Sequence, residues 1–171
     1  MKITDKYVFF WGGDFSNWAT SPIVIEPETI ICNVLITSKL ILPTAEHYFM
    51  IHKALFFKDL ETFSLILNSV TPKEAKKLGR KVSGFDESRW ETERETAMME
   101  ALRYKFLQNS DYRDQLLSRD YRDKTFVEAS PYDRIWGIGV GEDDPNLLDE
   151  SRWGLNLLGK CLCNVRKELL C

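Results

Sequence analysis

The sequence has few histidines, no excess of basic residues and no long hydrophobic run. Its two histidines, His47 and His52, are five residues apart, which misses the i, i+4 spacing of a helical zinc site. Lys and Arg number 23 against 26 Asp and Glu, giving a net charge of −3, so a broad nucleic-acid-binding surface is not expected. The longest apolar stretch, residues 30–42, is too short and too polar to span a bilayer. We therefore expect neither a metal site nor a membrane span.

Cysteine is also scarce, and no repeat, low-complexity tract or Gly/Ser/Pro linker interrupts the chain. Residues 1–6 are too short and too polar to act as a secretory leader, so free thiols in a reducing cytoplasm are the expected state. Without a linker, the 171 residues are expected to form one domain. The four cysteines are Cys32, Cys161, Cys163 and Cys171.

Aromatic residues are abundant, at 12% of the chain with five Trp and ten Phe. Such a surplus suits a large core, and it equally suits a pocket that stacks a planar ligand. The remaining composition, 44% apolar and 29% charged, is typical of a folded globular domain.

Short β-branched runs come early in the chain, and helical patterns dominate after residue 43. Thr44, Asp59 and Thr71 each stand where a helix N-cap is expected. The fold class predicted is mainly α with a small β element, a minor α+β fold. The predicted strands are 7–10, 23–25, 29–36, 39–42 and 125–128, and the predicted helices are 44–57, 59–67, 71–79, 91–108, 110–119 and 155–169.

The loop from Gly13 to Asn17 is the first candidate for ligand contacts. Its glycine lets the backbone approach a ligand closely, and Ser16 and Asn17 offer hydrogen bonds suited to a sugar or a phosphate. The same residues equally suit a turn capped by a short polar side chain, and by themselves they favour that structural interpretation.

Glu46 is the second candidate, because it falls in the first turn of the helix that Thr44 opens. Free backbone N–H groups and the helix dipole favour its ionised form there. An ionised carboxylate suits a general base or a partner for a developing cation, and it is a poor general acid. The simpler alternative is that Glu46 only complements the dipole. The adjacent His47 is more typical of a cap or a packed side chain than of a catalyst.

Two further segments carry groups that packing alone does not require. Arg80 stands just past a predicted helix end, where it suits either carbonyl capping or phosphate binding, and Trp90 begins the long helix, where it also suits the core. The glycine-rich segment 132–141 lacks a dinucleotide fingerprint, because Glu142 occupies the place of the last glycine. Its acid and two large aromatics fit the rim of a pocket. Each signal is weak alone.

Together, these segments resemble the YbiA-like family, also called NADAR, in order and spacing from about residue 9 to residue 169. Two stretches depart from the compact family pattern: an inserted hairpin at about 27–41 and an acidic segment at about 142–153. Both flank the pocket segments in sequence, so they bear on substrate choice. The matching motifs are Gly13-Asp14-Phe15-Ser16-Asn17, Thr44-Ala45-Glu46-His47-Tyr48-Phe49, Ala75-x3-Gly79-Arg80, Trp90-Glu91, Met99-Glu100-Ala101-Leu102-Arg103-Tyr104-Lys105-Phe106, Asp133-x2-Trp136-Gly137 and Asn156-x-Leu158-Gly159.

The resemblance implies an N-glycosidase with a single YbiA-like domain and no metal or redox cofactor. Its substrate would join a ribose derivative, either ribose phosphate or ADP-ribose, to a nitrogenous base. Aminopyrimidine intermediates of riboflavin synthesis and ADP-ribosylated guanine, free or within nucleic acid, are the substrates that it implies. The catalytic residues implied are Glu46, Trp90, Asp133 and Trp136, and the substrate-binding residues implied are Gly13, Phe15, Ser16, Asn17 and Arg80.

The chemistry of the bond gives each implied residue a role. Cleavage leaves the ribose with oxocarbenium character. An ionised Glu46 would either stabilise that positive charge or activate the attacking water. Asp133 would hold ribose hydroxyls or supply a second carboxylate, by analogy with paired carboxylates in glycoside hydrolysis. Trp90 and Trp136 would stack the planar base and exclude water.

Two other classes of protein stay open at this stage. A binding module would recognise ADP-ribose or a related nucleotide without hydrolysing it. A helical interaction protein would use all its aromatics as core, and it is expected to hold Glu46 and Asp133 far apart. The presence of Glu46, Trp90 and Asp133 together favours catalysis, because binding alone does not need that set.

Overall fold

A computed structural model describes residues 1–170 of the chain, so Cys171, one of the four predicted free thiols, lies outside the described residues. The chain forms two compact units, which we name by their place in the sequence. The terminal unit comprises Met1–Ser16 and Ser110–Cys171, and the central unit comprises Asn17–Asn109. The prediction of one domain stays a prediction.

The structure confirms the predicted α+β fold, with six α-helices and small sheets in residues 1–170. None of those helices combines the length and the apolar character needed to cross a membrane. The strands are β1 (Lys2–Ile3), β2 (Tyr7–Phe10), β3 (Ile23–Ile25), β4 (Ile30–Ile31), β5 (Val34–Leu35), β6 (Leu40–Leu42) and β7 (Thr125–Glu128), and the helices are α1 (Ala45–Phe56), α2 (Leu60–Leu67), α3 (Pro72–Gly79), α4 (Glu87–Gln108), α5 (Ser110–Leu116) and α6 (Leu157–Leu170).

Helix α1 is the centre of the central unit, where it packs against α2, α3 and α4. Every residue from Ala45 to His52 is buried, so this helix is enclosed on all sides. Gly79 at the end of α3 allows a close approach, because a Cβ atom there would lie 2.0 Å from Met50 Sδ on α1. The central unit thereby holds the first turn of α1, which carries Glu46, in a fixed place.

The predicted N-caps are confirmed at three helices. The side chains of Thr44, Asp59 and Thr71 accept hydrogen bonds from the first turns of α1, α2 and α3. Helix α4 begins at Glu87 rather than at the predicted residue 91, because Asp86 caps it by accepting the N–H of Arg89 at 3.1 Å. Trp90 therefore lies inside the first turn of α4.

Four short strands complete the central unit. Strand β3 pairs antiparallel with β6, and β4 and β5 form an antiparallel hairpin between them in sequence. The predicted strand 29–36 is thus wrong in detail, because Cys32 and Asn33 form a turn that splits it in two. A hairpin does lie within residues 27–41, and its status as an insertion stays a prediction.

The terminal unit is built on a sheet with the strand order β1-β2-β7. The outer strand β1 pairs antiparallel with β2, and the predicted strands β2 and β7 pair in parallel, from Tyr7 opposite Thr125 to Phe10 opposite Glu128. Helix α6 packs against β7. This unit contains a buried apolar cluster, against which Tyr7 and Trp153 pack. Its members are Phe9, Val127, Ala129, Ile138, Val140 and Leu147.

Two predicted helices of the terminal unit have different ends in the structure. Helix α6 begins at Leu157, so Leu155 precedes it, because Asn156 adopts a φ of 52° that interrupts the helical path. The amide of Asn156 instead joins the sheet, accepting the N–H of Glu128 and donating to the carbonyl of Phe126, both at 3.0 Å. Helix α5 ends at Leu116, and a separate 3₁₀ turn capped by Ser118 covers 119–121.

Candidate active site

The central unit places Glu46 in the first turn of α1, with its side chain almost fully buried at 2% exposure. Thr44 begins the helix, and its hydroxyl oxygen accepts the N–H of His47 and shares a 2.7 Å hydrogen bond with the His47 ring. Burial lowers the pKa of His47, which keeps that ring neutral. His47 is therefore part of the cap, and Glu46 supplies the carboxyl group of this turn.

Asn17 holds Glu46 at two points. The backbone N–H of Glu46 donates to the carbonyl of Asn17 at 2.9 Å, and the Asn17 side-chain amide donates to Glu46 Oε2. A donor on a carboxylate oxygen and a helix N-terminus both favour the ionised form of the group. Asn17, which precedes Glu46 by 29 positions in sequence, thus holds the Glu46 carboxyl group in a fixed orientation.

Lys53 is a functional candidate that the sequence interpretation missed. Its charge interacts with those of Glu46, Glu87 and Arg80, and burial is the largest cause of its lowered pKa. Its ammonium lies over the ring of Phe85, 4.0 Å from the centroid. Lys53 follows Glu46 by seven residues, two helical turns, so the spacing itself places both side chains on one face of α1. That spacing is the signal that could have found it.

The predicted site residues Arg80 and Trp90 lie around Lys53. Arg80 is exposed at the C-cap of α3, as predicted, and its positive charge contributes to the lowered pKa of Lys53. Trp90 is 6% exposed, and its ring centroid lies 5.3 Å from that of Phe49 and 5.6 Å from the Lys53 ammonium. Most of the Trp90 surface is therefore engaged in packing.

The remaining predicted loop residues belong to the terminal unit. Gly13 adopts a φ of 66° and accepts the N–H of Ser16 at 3.1 Å, so Gly13 and Ser16 close a tight turn. Phe15 is 3% exposed, and its ring centroid lies 4.7 Å from that of Phe126. Phe15 therefore supports the loop from the core side, whereas Gly13 presents its backbone at the surface.

Asp133 and Trp136 also belong to the terminal unit, and a shared turn joins them. Asp133 Oδ1 accepts the N–H groups of Ile135 and Trp136, each at 2.8 Å. Gly137 follows, and a Cβ atom there would lie 2.8 Å from the carbonyl oxygen of Glu128. One oxygen of Asp133 thus fixes the path of the backbone that carries the half-buried Trp136.

A surface cavity of about 450 Å³ lies in the terminal unit beside the predicted acidic segment. It is lined by Trp11 and by Glu142, Asp143 and Asp144, among others. Three carboxylates repel an anionic ligand, so this cavity is a poor site for a phosphorylated sugar. The surroundings of Lys53, whose charge interacts with that of Arg80, suit such a ligand better.

The model of the NADAR domain matches residues 9–170 of this chain. N-glycosidase R617 of Acanthamoeba polyphaga mimivirus is 38% identical over 96% of this chain and 97% of its own length. N-glycosidase YbiA of Escherichia coli (strain K12) is 32% identical over 92% of this chain and 81% of its own length. The solution structure of E. coli YbiA superposes with a TM-score of 0.71 at 29% identity, covering 99% of this chain and 88% of that one.

These similarities define an α+β enzyme of the N-glycosidase class, a hydrolase of N-glycosyl bonds. The chain belongs to the NADAR family. Protein irg-1 of Caenorhabditis elegans is 39% identical over 97% of this chain and 81% of its own length, which shows that the similarity extends to an animal protein.

Proposed function

We propose that this N-glycosidase hydrolyses the bond between a phosphorylated ribose derivative and a nitrogenous base. The ribose derivative is a ribose phosphate or an ADP-ribosyl group, and the leaving base is a planar heterocycle such as an aminopyrimidine or guanine. The observation that carries the proposal is the buried Glu46 carboxylate, held by Asn17 at the head of α1.

The chemistry proposed at Glu46 needs only this carboxylate and a water molecule. As the C–N bond breaks, its electron pair leaves with the base, and the ribose C1′ gains positive charge. The Glu46 carboxylate stabilises that charge and accepts a proton from the water whose oxygen bonds to C1′. The proton that Glu46 accepted then passes to the departing base nitrogen, which leaves Glu46 ionised again, so the products are the free base and the free sugar.

Lys53 and Arg80 are proposed to hold the phosphate. Their positive charges repel each other, which is one cause of the lowered pKa of Lys53, and an anion bound beside them relieves that repulsion. Arg supplies a planar fork of donors and Lys a compact charge, both suited to phosphate oxygens. Glu46 interacts with the same Lys53, so the reacting carbon and the phosphate would both contact one face of α1.

The roles of the other predicted residues rest on the family resemblance. Asp133 and Trp136 are proposed as catalytic residues, and Gly13, Ser16 and Asn17 as sugar contacts. Trp90 is proposed to contact the planar base through the part of its ring that packing leaves exposed. Phe15 is proposed to act only through the loop that it supports, since its ring is enclosed. A cytoplasmic location, expected from the free thiols Cys32, Cys161 and Cys163, is part of the same proposal.

The substitution Glu46→Gln tests the proposal. Gln keeps an oxygen for the Asn17 amide but lacks the charge, so we expect the fold to persist and turnover to fall about 10²–10⁴-fold. Glu61→Gln is the matched control, because Glu61 occupies the first turn of α2 and is exposed. Turnover is measured as release of free base, and melting curves monitor the fold. Wild-type turnover in a folded Glu46→Gln variant would remove Glu46 from the mechanism.

A further inference from the structure

A second group of chemically reactive side chains lies in the central unit, and it includes none of the residues assigned to N-glycosidase chemistry. Cys32, His52 and Glu93 each contribute one ligand atom, and these atoms all lie within 4.8 Å of one another. They come from three segments: the turn between β4 and β5, helix α1 and helix α4. Sulfur, imidazole nitrogen and carboxylate oxygen form a mixed set that zinc binds readily.

The turn between β4 and β5 directs the thiol towards α1. Ile31 pairs with Val34, so Cys32 and Asn33 form a two-residue hairpin turn, with φ values of 49° and 62°. Both angles are positive, as a type I′ turn requires. Cys32 Sγ lies 3.6 Å from the carbonyl oxygen of His52 and contacts that part of the helix.

The His52 ring lies between two carboxylates, one beside each ring nitrogen. His52 is 2% exposed, with Nε2 2.8 Å from Glu93 Oε1 and Nδ1 3.1 Å from Glu100 Oε2. The Tyr48 hydroxyl donates to Glu100 at 2.9 Å. Metal-bound histidines typically donate their second ring N–H to a carboxylate that is itself hydrogen-bonded. Glu100 and Tyr48 supply that outer support.

We propose that Cys32, His52 and Glu93 bind a divalent first-row cation of the zinc class. His52 Nε2, the Cys32 thiolate and a Glu93 oxygen are the three protein ligands, and water takes the fourth tetrahedral position. Tetrahedral zinc with bonds of about 2.0–2.3 Å keeps its ligand atoms roughly 3.3–3.7 Å apart. The separations here run from 2.8 Å, between His52 Nε2 and Glu93 Oε1, to at most 4.8 Å. Side-chain shifts of about 1 Å would bring all of them into that range.

Bound metal would fasten the hairpin to two helices of the central unit. Cys32 belongs to the segment at about 27–41 that is predicted to depart from the family pattern, so on that prediction the site concerns this chain in particular. The five-residue spacing of His47 and His52 disfavours only a zinc site built from two histidines on one helix. Because the three ligands come from a turn and two helices, no short sequence motif indicates the site.

The alternative is that the cluster contains no metal and that a protonated His52 ring stabilises it. Burial alone lowers the pKa of His52, but hydrogen bonds with Cys32, Glu100 and Glu93 raise it to about 10. An imidazolium between two carboxylates would be stable without any cation. The two accounts differ in whether Cys32 becomes a thiolate ligand, which is directly observable.

Cobalt(II) and zinc(II) are the probes for the test, with the full chain first stripped by EDTA. We expect Co²⁺ to bind at one equivalent per chain with a thiolate-to-cobalt charge-transfer band, and Zn²⁺ to displace it. Cys32→Ser should abolish the band and weaken Zn²⁺ binding at least 100-fold, whereas Cys163→Ser, which changes a partly exposed thiol outside the cluster, should retain both. Glu100→Gln should weaken binding about 10–100-fold through His52.

Two measurements keep the test independent of any single variant. Glu93→Gln should weaken Zn²⁺ binding in competition with a chromophoric chelator, while Glu95→Gln, an exposed change on the same helix, should not. In the wild-type chain, Zn²⁺ should protect Cys32 from alkylation, read by mass spectrometry of each cysteine. A missing charge-transfer band, an affinity unchanged in Cys32→Ser and Glu93→Gln, or equal alkylation of Cys32 with and without Zn²⁺ would overturn the proposal.

Discussion

At the scale of single residues, the central unit is organised around charges that α1 holds in place. Glu46 is fixed by Asn17, and Lys53 lies two turns further along the same helix, over the Phe85 ring. The motif around Glu46 could be recognised from sequence because its residues are contiguous. The Asn17 contact and the environment of Lys53 could not, because they join residues that are distant in sequence.

Lys53→Met tests the phosphate role of this side chain. Met keeps a side chain of similar length and loses the charge. We therefore expect KM for a phosphorylated substrate to rise about 10–100-fold with kcat changed less than threefold, as for loss of one charged hydrogen bond of about 1.5–3 kcal/mol. Steady-state kinetics on the phosphorylated and dephosphorylated forms of one substrate measure the effect. Lys73→Met, at an exposed position of α3, is the control. Equal losses on both forms would show that Lys53 acts elsewhere.

At the scale of elements, local signals predicted the capped helix starts, and they missed pairings between distant segments. The caps at Thr44, Asp59 and Thr71 were recognisable because one side chain and the next turn determine each of them. The pairing of β2 with β7 was not, because more than a hundred residues of sequence separate the strands and nothing local specifies the partner. Glu93 and Cys32 meet for the same non-local reason.

Two glycine-to-alanine substitutions test the packing of these elements. At Gly159 on α6, a Cβ atom would lie 2.1 Å from the carbonyl oxygen of Phe126 in β7, which cannot move without disturbing the sheet. At Gly79 the nearest atom is Met50 Sδ, the flexible part of a side chain. We expect Gly159→Ala to lower the free energy of unfolding by about 3 kcal/mol and Gly79→Ala by about 1 kcal/mol.

Urea denaturation of both variants and of the wild type measures those differences. The ranking is the informative result, since the substitution is the same and only the neighbouring atom differs. Equal losses at the two sites would mean that the backbone at Phe126 yields as easily as the Met50 side chain, and the packing of α6 on β7 would need revision.

At the scale of the whole molecule, the net charge of −3 and the acidic segment from Glu142 to Glu150 disfavour extended contact with nucleic acid. A single nucleotide turned out of a duplex needs little basic surface, so a modified base within DNA or RNA still fits the proposed chemistry. Composition predicted a folded globular domain, and hydrophobic periodicity predicted the α+β fold. The leaving base depends on the shape of the bound state, which neither reveals.

Product analysis by mass spectrometry tests the central claim most directly. The wild type and Glu46→Gln are incubated separately with a phosphoribosylaminopyrimidine and with an oligonucleotide carrying ADP-ribosylguanine. The account predicts that the wild type releases a free base with ribose phosphate from the first, or ADP-ribose from the second, and that Glu46→Gln releases neither. Tight binding of both substrates by the wild type, with no base or sugar released from either, would contradict it.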